Sequence, residues 1–291
     1  MDIKLEPGKY VVAVSGGVDS VVLLDLLCGL PNVDLVVAHF DHGMRSDSTQ
    51  DKWFAESLTR NYDVPFECAE GRLGAGASEA AARQARYDFL KKIQHKYGAH
   101  AIITAHHQDD VLETAIINLL RGTGRKGLSA LGDRPGLKRP LLKVPKKDLI
   151  AYAHRHGLEW REDSTNTDRT YLRNYIRHNL VPRFDEQNRQ AFLKLLEQAR
   201  DNNNELDIFL GQQISGQLID KLWFNQLPHQ VSLEVMAAWL RQHDIRDFDR
   251  RTLERLVVAA KTGPTDRQFD VAGGAIMKAQ HDSLALVVAE R

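Results

Sequence analysis

Residues 10–20, YVVAVSGGVDS, constrain the fold more than any other stretch of the chain. An apolar strand, Tyr10–Val14, enters a Gly16-Gly17 turn flanked by Ser15, Asp19 and Ser20, and an apolar helical pattern begins at Val18. Glycines let the backbone bend tightly and approach a ligand, and the start of the next helix presents unpaired N–H groups and a positive dipole end. Ser15 and Ser20 add hydroxyl donors, so the segment reads as a phosphate cradle. Asp19 runs against simple anion binding. A carboxylate in such a loop would repel phosphate unless Mg²⁺ sat between them, which points to a metal-bound nucleotide. An ordinary strand–turn–helix junction is the plainer alternative.

The first half of the chain alternates strand and helix: Tyr10–Val14, a helix over 18–27, 34–40, a helix over 50–62, 65–69, a helix over 78–97, 101–105, then a helix over 109–120. This alternation predicts an α/β fold with a parallel sheet covered by helices on both faces. In such sheets ligands bind beyond the carboxyl ends of the strands, where strand order reverses. Polar residues gather at those ends: SGGVDS after the first strand, His39-Phe-Asp41-His42-Gly-Met-Arg45 after the second, and Thr104-Ala-His106-His107-Gln-Asp109-Asp110 after the fourth. Helix capping by Asp and Ser accounts for any one of these clusters, but three at one edge point to a site. His106, Asp110 and Glu113 recur at helical spacing, offering a cation ligand, a proton-transfer group and an orienting carboxylate. Asp109 reads as a cap. Glu79 stands four before Arg83 as a supporting pair, leaving Arg86 for an anion or for solvent.

Other patterns exclude alternatives. Gly122-Thr-Gly124-Arg-Lys-Gly127 spells a dinucleotide fingerprint but follows a helix and opens no strand–helix–strand unit. No G-x-x-x-x-G-K-[ST] occurs, so chemistry at the α-phosphate is favoured over cleavage at the γ-phosphate. The 2 cysteines, Cys28 and Cys68, form no ligand-spaced cluster and read as packing residues. The formal net charge of +0 means that any nucleic-acid role needs a local patch. Arg121 to Lys147 supplies one: Arg121, Arg125, Lys126, Arg134, Lys138, Arg139, Lys143, Lys146 and Lys147 face one acid, Asp133. With almost no aromatic residue, such a segment would position a phosphate backbone rather than read bases, a mobile basic loop being the alternative. Arg173 and Arg177, one helical turn apart, could clamp a phosphate or pair with Glu162 or Asp163. The start, MDIKLEPGKY, lacks a basic segment followed by an apolar stretch, and other apolar windows are short, so a cytoplasmic protein without membrane spans is expected.

Taken in order, SGGVDS, HFDHGMR, SEAAARQARY, TAHHQDDVLET, RGTGRKGLSAL, RPLL and DSTNTDRTYLRNYIR resemble the motifs of the tRNA(Ile)-lysidine synthetases, within the PP-loop superfamily of N-type ATP pyrophosphatases. The likeness spans about residues 10 to 183. It implies ATP and Mg²⁺ as cofactors, free L-lysine and an isoleucine tRNA with a CAU anticodon as partners, and adenylation of the wobble cytidine followed by displacement of AMP by the lysine ε-amine. It implies ATP contacts from Ser15, Gly16, Gly17, Val18, Asp19, Ser20, His39 and Asp41. Asp19 and Asp110 would serve Mg²⁺ or the lysine ammonium, His106 the adenylation site, and Arg86 with Arg173 the developing charge. tRNA contacts fall to Arg121, Arg125, Lys126, Lys138, Arg139 and Arg177.

The expected organisation is a PP-loop catalytic domain over 1–185, a helical connector over 186–210, and a small α+β C-terminal domain over 211–291 that could touch tRNA. Amphipathic helices over 231–243 and 250–261 and strands over 268–271, 275–279 and 284–288 mark this last part. Many relatives carry a further domain, which leaves its tRNA contacts in doubt here; a homodimer is compatible with the sequence. Three alternatives stay open: a tRNA thiolase, a metal-dependent phosphohydrolase built from His39, Asp41, His42, His106, Asp109 and Asp110, and a non-catalytic nucleotide or RNA-binding module.

Overall fold

The computed structural model describes residues 1, 3–41, 48–71, 79–129, 131–161, 172–214, 216, 218–245, 248–271 and 274–287. The chain divides into two compact units, Met1–Ala199 and Arg200–Arg291.

In the first unit, strands β1 (Gly8–Ala13), β2 (Val33–Asp41), β3 (Phe66–Glu70), β4 (Ala101–Ile103) and β5 (Leu137–Lys138) form one sheet in the order β3-β2-β1-β4-β5. All pairings are parallel, with Val11 opposite Val36 on one side and Ile102 on the other. The helices are α1 (Val18–Cys28), α2 (Ser48–Asn61), α3 (Glu79–Tyr97), α4 (Gln108–Leu120), α5 (Arg125–Leu128), α6 (Lys146–Arg155) and α7 (Leu172–Tyr175). Side chains alternate across the strands, and the two faces bury separate cores. Tyr10, Val12, Val14, Leu35, Val37 and Ile103 pack with α1 and with Leu149 and Ala153 of α6. Val11, Val36, Ala38 and Ile102 pack with Leu90 and Ile93 of α3. This is the expected α/β architecture, with apolar strands because both faces are covered. α1 is buried almost all round, from Val18 through Leu27, as befits a helix packed beneath a sheet.

Strand order turns between β1 and β4, which places the carboxyl ends of these two strands at the switch point. The chain after α7 widens into a π turn, Ile176–Leu180, then a 3₁₀ turn, Val181–Arg183, and enters α8 (Glu186–Gln213).

In the second unit, strands β6 (Leu218–Asp220), β7 (Arg267–Asp270), β8 (Ile276–Ala279) and β9 (Ser283–Val287) form an antiparallel sheet in the order β6-β9-β8-β7. Helices α9 (Lys221–Gln226), α10 (His229–Gln242) and α11 (Arg250–Thr262) join it. The core centres on Trp239, Phe224, Leu256 and Met277, each 0% exposed. α11 starts cleanly because the Asp249 carboxylate accepts the Thr252 N–H at 2.8 Å.

Candidate functional site

At the end of β1, Gly16 takes φ +90, a conformation that favours glycine, and a Cβ there would lie 3.3 Å from Phe54 Cδ1. Gly17 is the N-cap of α1 and supplies no side-chain hydrogen bond to the first turn, so the helix opens with donors that an anion can take. The loop is braced from within. The Ser20 hydroxyl donates to Gly17 O at 2.9 Å, and the Ser15 N–H donates to Ser20 Oγ at 3.2 Å. Ser20, expected as a donor to ligand, is only 3% exposed and acts as this brace. The Arg161 N–H reaches Gly16 O at 3.0 Å, and its side chain bonds Asp51 at 2.5 Å and Gln50 at 3.1 Å, tying α2 to the loop. His39 is buried at the end of β2 and its Nδ1–H donates to Val14 O at 2.9 Å, so it pins two strand ends together. Asp41 ends β2; His42, Gly43, Met44 and Arg45 lie outside the described residues.

At the end of β4, His107 rather than Asp109 caps α4: His107 Nδ1 accepts the Asp109 N–H at 3.3 Å, and the Asp110 carboxylate accepts the His107 N–H at 2.9 Å. An accepting Nδ1 leaves the proton of neutral His107 on Nε2, which stands 3.6 Å from both Asp19 Oδ2 and Asp110 Oδ2. His107 thus links the loop to α4. The expected face of His106, Asp110 and Glu113 is not one helical face, because His106 precedes the helix and bonds Thr104 Oγ1 through Nδ1 at 2.8 Å. Burial pushes His106 down to about 3, with Asp110 opposing and Arg139, Arg83 and Arg86 adding to the fall. It is therefore neutral near pH 7.

The acids on α4 are held by arginines. Glu113, 0% exposed, receives Arg177 Nε at 2.7 Å and Nη2 at 2.9 Å, and Arg177 Nη2 also lies 3.4 Å from Asp110 Oδ1. Burial raises the Glu113 pKa against the pull of Arg177. Burial would raise that of Asp110 too, but His107, His106, the His107 N–H and Arg177 together hold it below the ordinary value. Asp109 pairs with Arg189 of α8, whose Nε also donates to Gln108 Oε1 at 2.8 Å. On the loop side, Lys146 Nζ lies 2.6 and 2.7 Å from the two oxygens of Asp19.

Two residues expected to meet tRNA are corrected. Arg139 is 4% exposed, its N–H bonds Asp133 Oδ1 at 2.8 Å and its guanidinium bonds Gly132 O, so it belongs to the interior of the β5 region. Arg177 is committed to Glu113 and Asp110, neither of which the sequence offered as its partner; Glu162 and Asp163 lie outside the described residues. Arg121 and Lys138 are exposed, Arg125 and Lys126 half-buried on α5, and Arg173 half-buried on α7. Arg86 sits on α3 beside Tyr87, its guanidinium 5.7 Å from the ring centre, and Arg83 Nη2 donates to the Tyr87 hydroxyl at 3.4 Å; the expected Glu79–Arg83 pair lies outside the described side chains. His107, Lys146 and Arg189 are the residues of this network to which motif reading gave no part in the site. For His107 the signal was present, since Asp110 stands at the N3 position of a cap, but a His-His pair does not say which ring does the capping.

Among the described residues no three His, Cys, Asp or Glu side chains gather as ligands of one metal ion. Burial, with Asp25 adding to it, pushes the Cys28 thiol up to about 11, so it stays protonated and is poorly suited to carrying sulfur. Among the described residues no helix is long and apolar enough to cross a membrane.

A parallel sheet with an anion cradle and a carboxylate–histidine–arginine network at its switch point defines an α/β ligand-binding unit of the nucleotide-handling kind. The chain belongs to the PP-loop domain family, whose model matches residues 3–184. Curated relatives include tRNA(Ile)-lysidine synthases from Thermotoga sp. (strain RQ2), 40% identical over 63% of this chain and 47% of that one, and from Geobacter sulfurreducens, 41% identical over 66% and 44%. A third, from Thermosipho africanus, is 34% identical over 86% of this chain and 62% of its own length. The chain spans about half the length of the curated relatives it matches. Among solved structures, the U34-tRNA thiolase NcsA from Methanococcus maripaludis, with its [4Fe-4S] cluster, superposes with a TM-score of 0.53 at 20% identity, covering 66% of this chain and 74% of that one, which speaks for the fold alone.

Proposed function

We propose that this chain uses ATP to join lysine to C-2 of the wobble cytidine in the CAU anticodon of tRNA(Ile), through an adenylated cytidine, releasing pyrophosphate and AMP and leaving lysidine. The observation that carries this reading is the convergence, at one switch point, of the SGGVDS cradle and the Asp19–His107–Asp110–Arg177–Glu113 network. The family and the names of its relatives support it.

ATP fits the loop: Gly16 opens the backbone, and the uncapped first turn of α1 offers N–H donors to phosphate. Mg²⁺ fits Asp19, a hard oxygen donor that already accepts a cation, better than Asp110, whose oxygens serve the α4 cap and Arg177. When bound there, the ion would shield the charge of the phosphates. The chain's own residues divide the remaining work. Gly16, Gly17 and Val18 hold the phosphates, and Ser15 and Ser20 fix the loop's shape. Arg86 and Arg173 supply positive charge toward the cytidine oxygen and the departing phosphate. Neutral His106 serves as a hydrogen-bonding base at the adenylation site, and Asp110, with Glu113 behind it holding Arg177, gives the incoming ammonium a carboxylate to dock on. The exposed cations Arg121 and Lys138, with Arg125 and Lys126, would follow the tRNA backbone.

On this reading residues 1–185 are catalytic, 186–210 connect, and 211–291 add tRNA contact. The test is incubation with ATP, Mg²⁺, labelled lysine and isoleucine tRNA bearing CAU, beside the methionine tRNA of the same anticodon. Label in the first alone, with AMP released, is expected; label in neither, with ATP still bound, would overturn the lysine and tRNA assignment.

A further inference from the structure

The nucleotide loop contains no cation of its own, since SGGVDS carries only the charge of Asp19. The cation that meets it comes from far along the chain. Lys146 Nζ lies 2.6 and 2.7 Å from Asp19 Oδ1 and Oδ2, across a separation of 127 residues. The position costs α6 something, because Lys146 is its first residue and a cation at a helix N-terminus opposes the dipole. No side chain caps that end either, as Pro145 is the N-cap. A lysine set there for helix stability alone would be a poor choice.

Its backbone is nevertheless firmly held. Leu149 and Ala153, one and two turns on, are each 0% exposed in the core shared with α1, while the Lys146 side chain remains 33% exposed. A fixed stem with a partly solvated ammonium can change partner by rotamer motion alone. Two other groups face the same carboxylate region: His107 Nε2 at 3.6 Å from Asp19 Oδ2, and Arg177, which feels the Asp19 charge but is bonded to Glu113.

We propose that Lys146 is the phosphate-gripping cation that the loop lacks: it neutralises Asp19 while the site is empty and transfers to the phosphates of the nucleotide when a metal ion takes Asp19. This rests on the nucleotide reading above. The exchange gives the Asp19 carboxylate a cation partner both before and after binding, so the loop is never left with an isolated carboxylate beside incoming phosphate.

The experiment is calorimetric titration of the full chain with ATP and with adenosine, each with and without Mg²⁺, for wild type, Lys146→Gln, Lys146→Arg and Asp19→Asn. Lys146→Gln is expected to weaken Mg²⁺–ATP binding by about 10- to 100-fold, the loss of one charge-assisted contact, and to leave adenosine binding unchanged. Lys146→Arg should bind within a few fold of wild type, and Asp19→Asn, which releases the ammonium, should bind metal-free ATP more tightly than wild type. Equal or tighter Mg²⁺–ATP binding by Lys146→Gln would reduce Lys146 to a competitor of the metal and overturn the proposal. Should Lys146→Gln fail to fold, the Asp19→Asn result decides: no gain in metal-free ATP binding overturns it as well. Wild type binding neither ATP nor adenosine would instead bring down the nucleotide reading itself.

Discussion

In residues 1–199 the buried side chains include His39, His107, Asp110, Glu113 and Arg139, whereas among the described residues of 200–291 the buried polar side chains are Asn203 and Ser232. Both units bury aliphatic cores, but only the first takes ionisable groups out of water in numbers. Burying a charge costs several kcal/mol unless it is paired, so a fold that does so repeatedly at one sheet edge is giving up stability for chemistry. The core of the second unit is mainly apolar, with Trp239 and Phe224 at its centre. The contrast singles out the same sheet edge as the candidate site without reference to any relative.

The sharpest way to break that contrast is Glu113→Ala. It leaves Arg177 half-buried without its bidentate partner and should cost the first unit about 3–5 kcal/mol in urea unfolding. A loss below about 1 kcal/mol would mean that the pair is solvated and the network incidental. In the second unit, Trp239→Ala should cost a similar 3–5 kcal/mol through cavity formation, yet leave the affinity for ATP unchanged at temperatures where the protein stays folded. A parallel loss of ATP binding would show that the two units do not divide packing from chemistry.

A smaller effect concerns pH. His106 has its folded pKa lowered from 6.5 to about 3, so between these values the unfolded chain binds more protons than the folded one. Stability should therefore be full above 6.5 and decline as pH falls toward 3. His106→Gln should flatten that decline in thermal melts across the same range; an unchanged slope would assign the acid sensitivity to other groups. The smallest effect belongs to Lys138→Ala. Lys138 is exposed and 3.9 Å from Asp133, so stability should shift by no more than about 0.5 kcal/mol. tRNA affinity should fall a few fold, with the salt dependence shallower by about one ion.

The parallel sheet was legible because its strands are short apolar runs alternating with longer helical stretches, and β1, α1, β2 and α4 begin within a residue or two of where the pattern puts them. β5 was not. A strand of two residues, Leu137–Lys138, inside a Gly- and Pro-rich basic segment has no period to detect, and so Arg139, read as a surface cation, is in fact drawn inside beside it. The glycine turn after β1 and the polar start of α4 could be read locally, since both follow from neighbours in sequence. Lys146 on Asp19, Arg177 on Glu113 and Arg189 on Asp109 could not, because a side chain's choice of partner 64 to 127 residues away is made by topology. The same limit applies to Arg177: in sequence a cation one turn from another looks alike whether it faces a phosphate or a buried acid.

The π turn that carries Arg177 has a consequence for which changes the protein can survive. The Val181 N–H bonds Ile176 O across five residues, and both side chains are buried, at 5% and 0% exposure. Residues five apart on a regular α-helix would point roughly 140° away from each other, so both reach one interior only through the widened turn. Spacing, more than residue identity, is what aims the guanidinium at Glu113. Removing a single residue, such as Asn179, would close the turn to ordinary helix and force a choice between seating Ile176 and seating Val181. Homologues should accordingly vary in letter at 178 and 179, keep an apolar residue at 180, where Leu180 packs on the core, and hold the residue count.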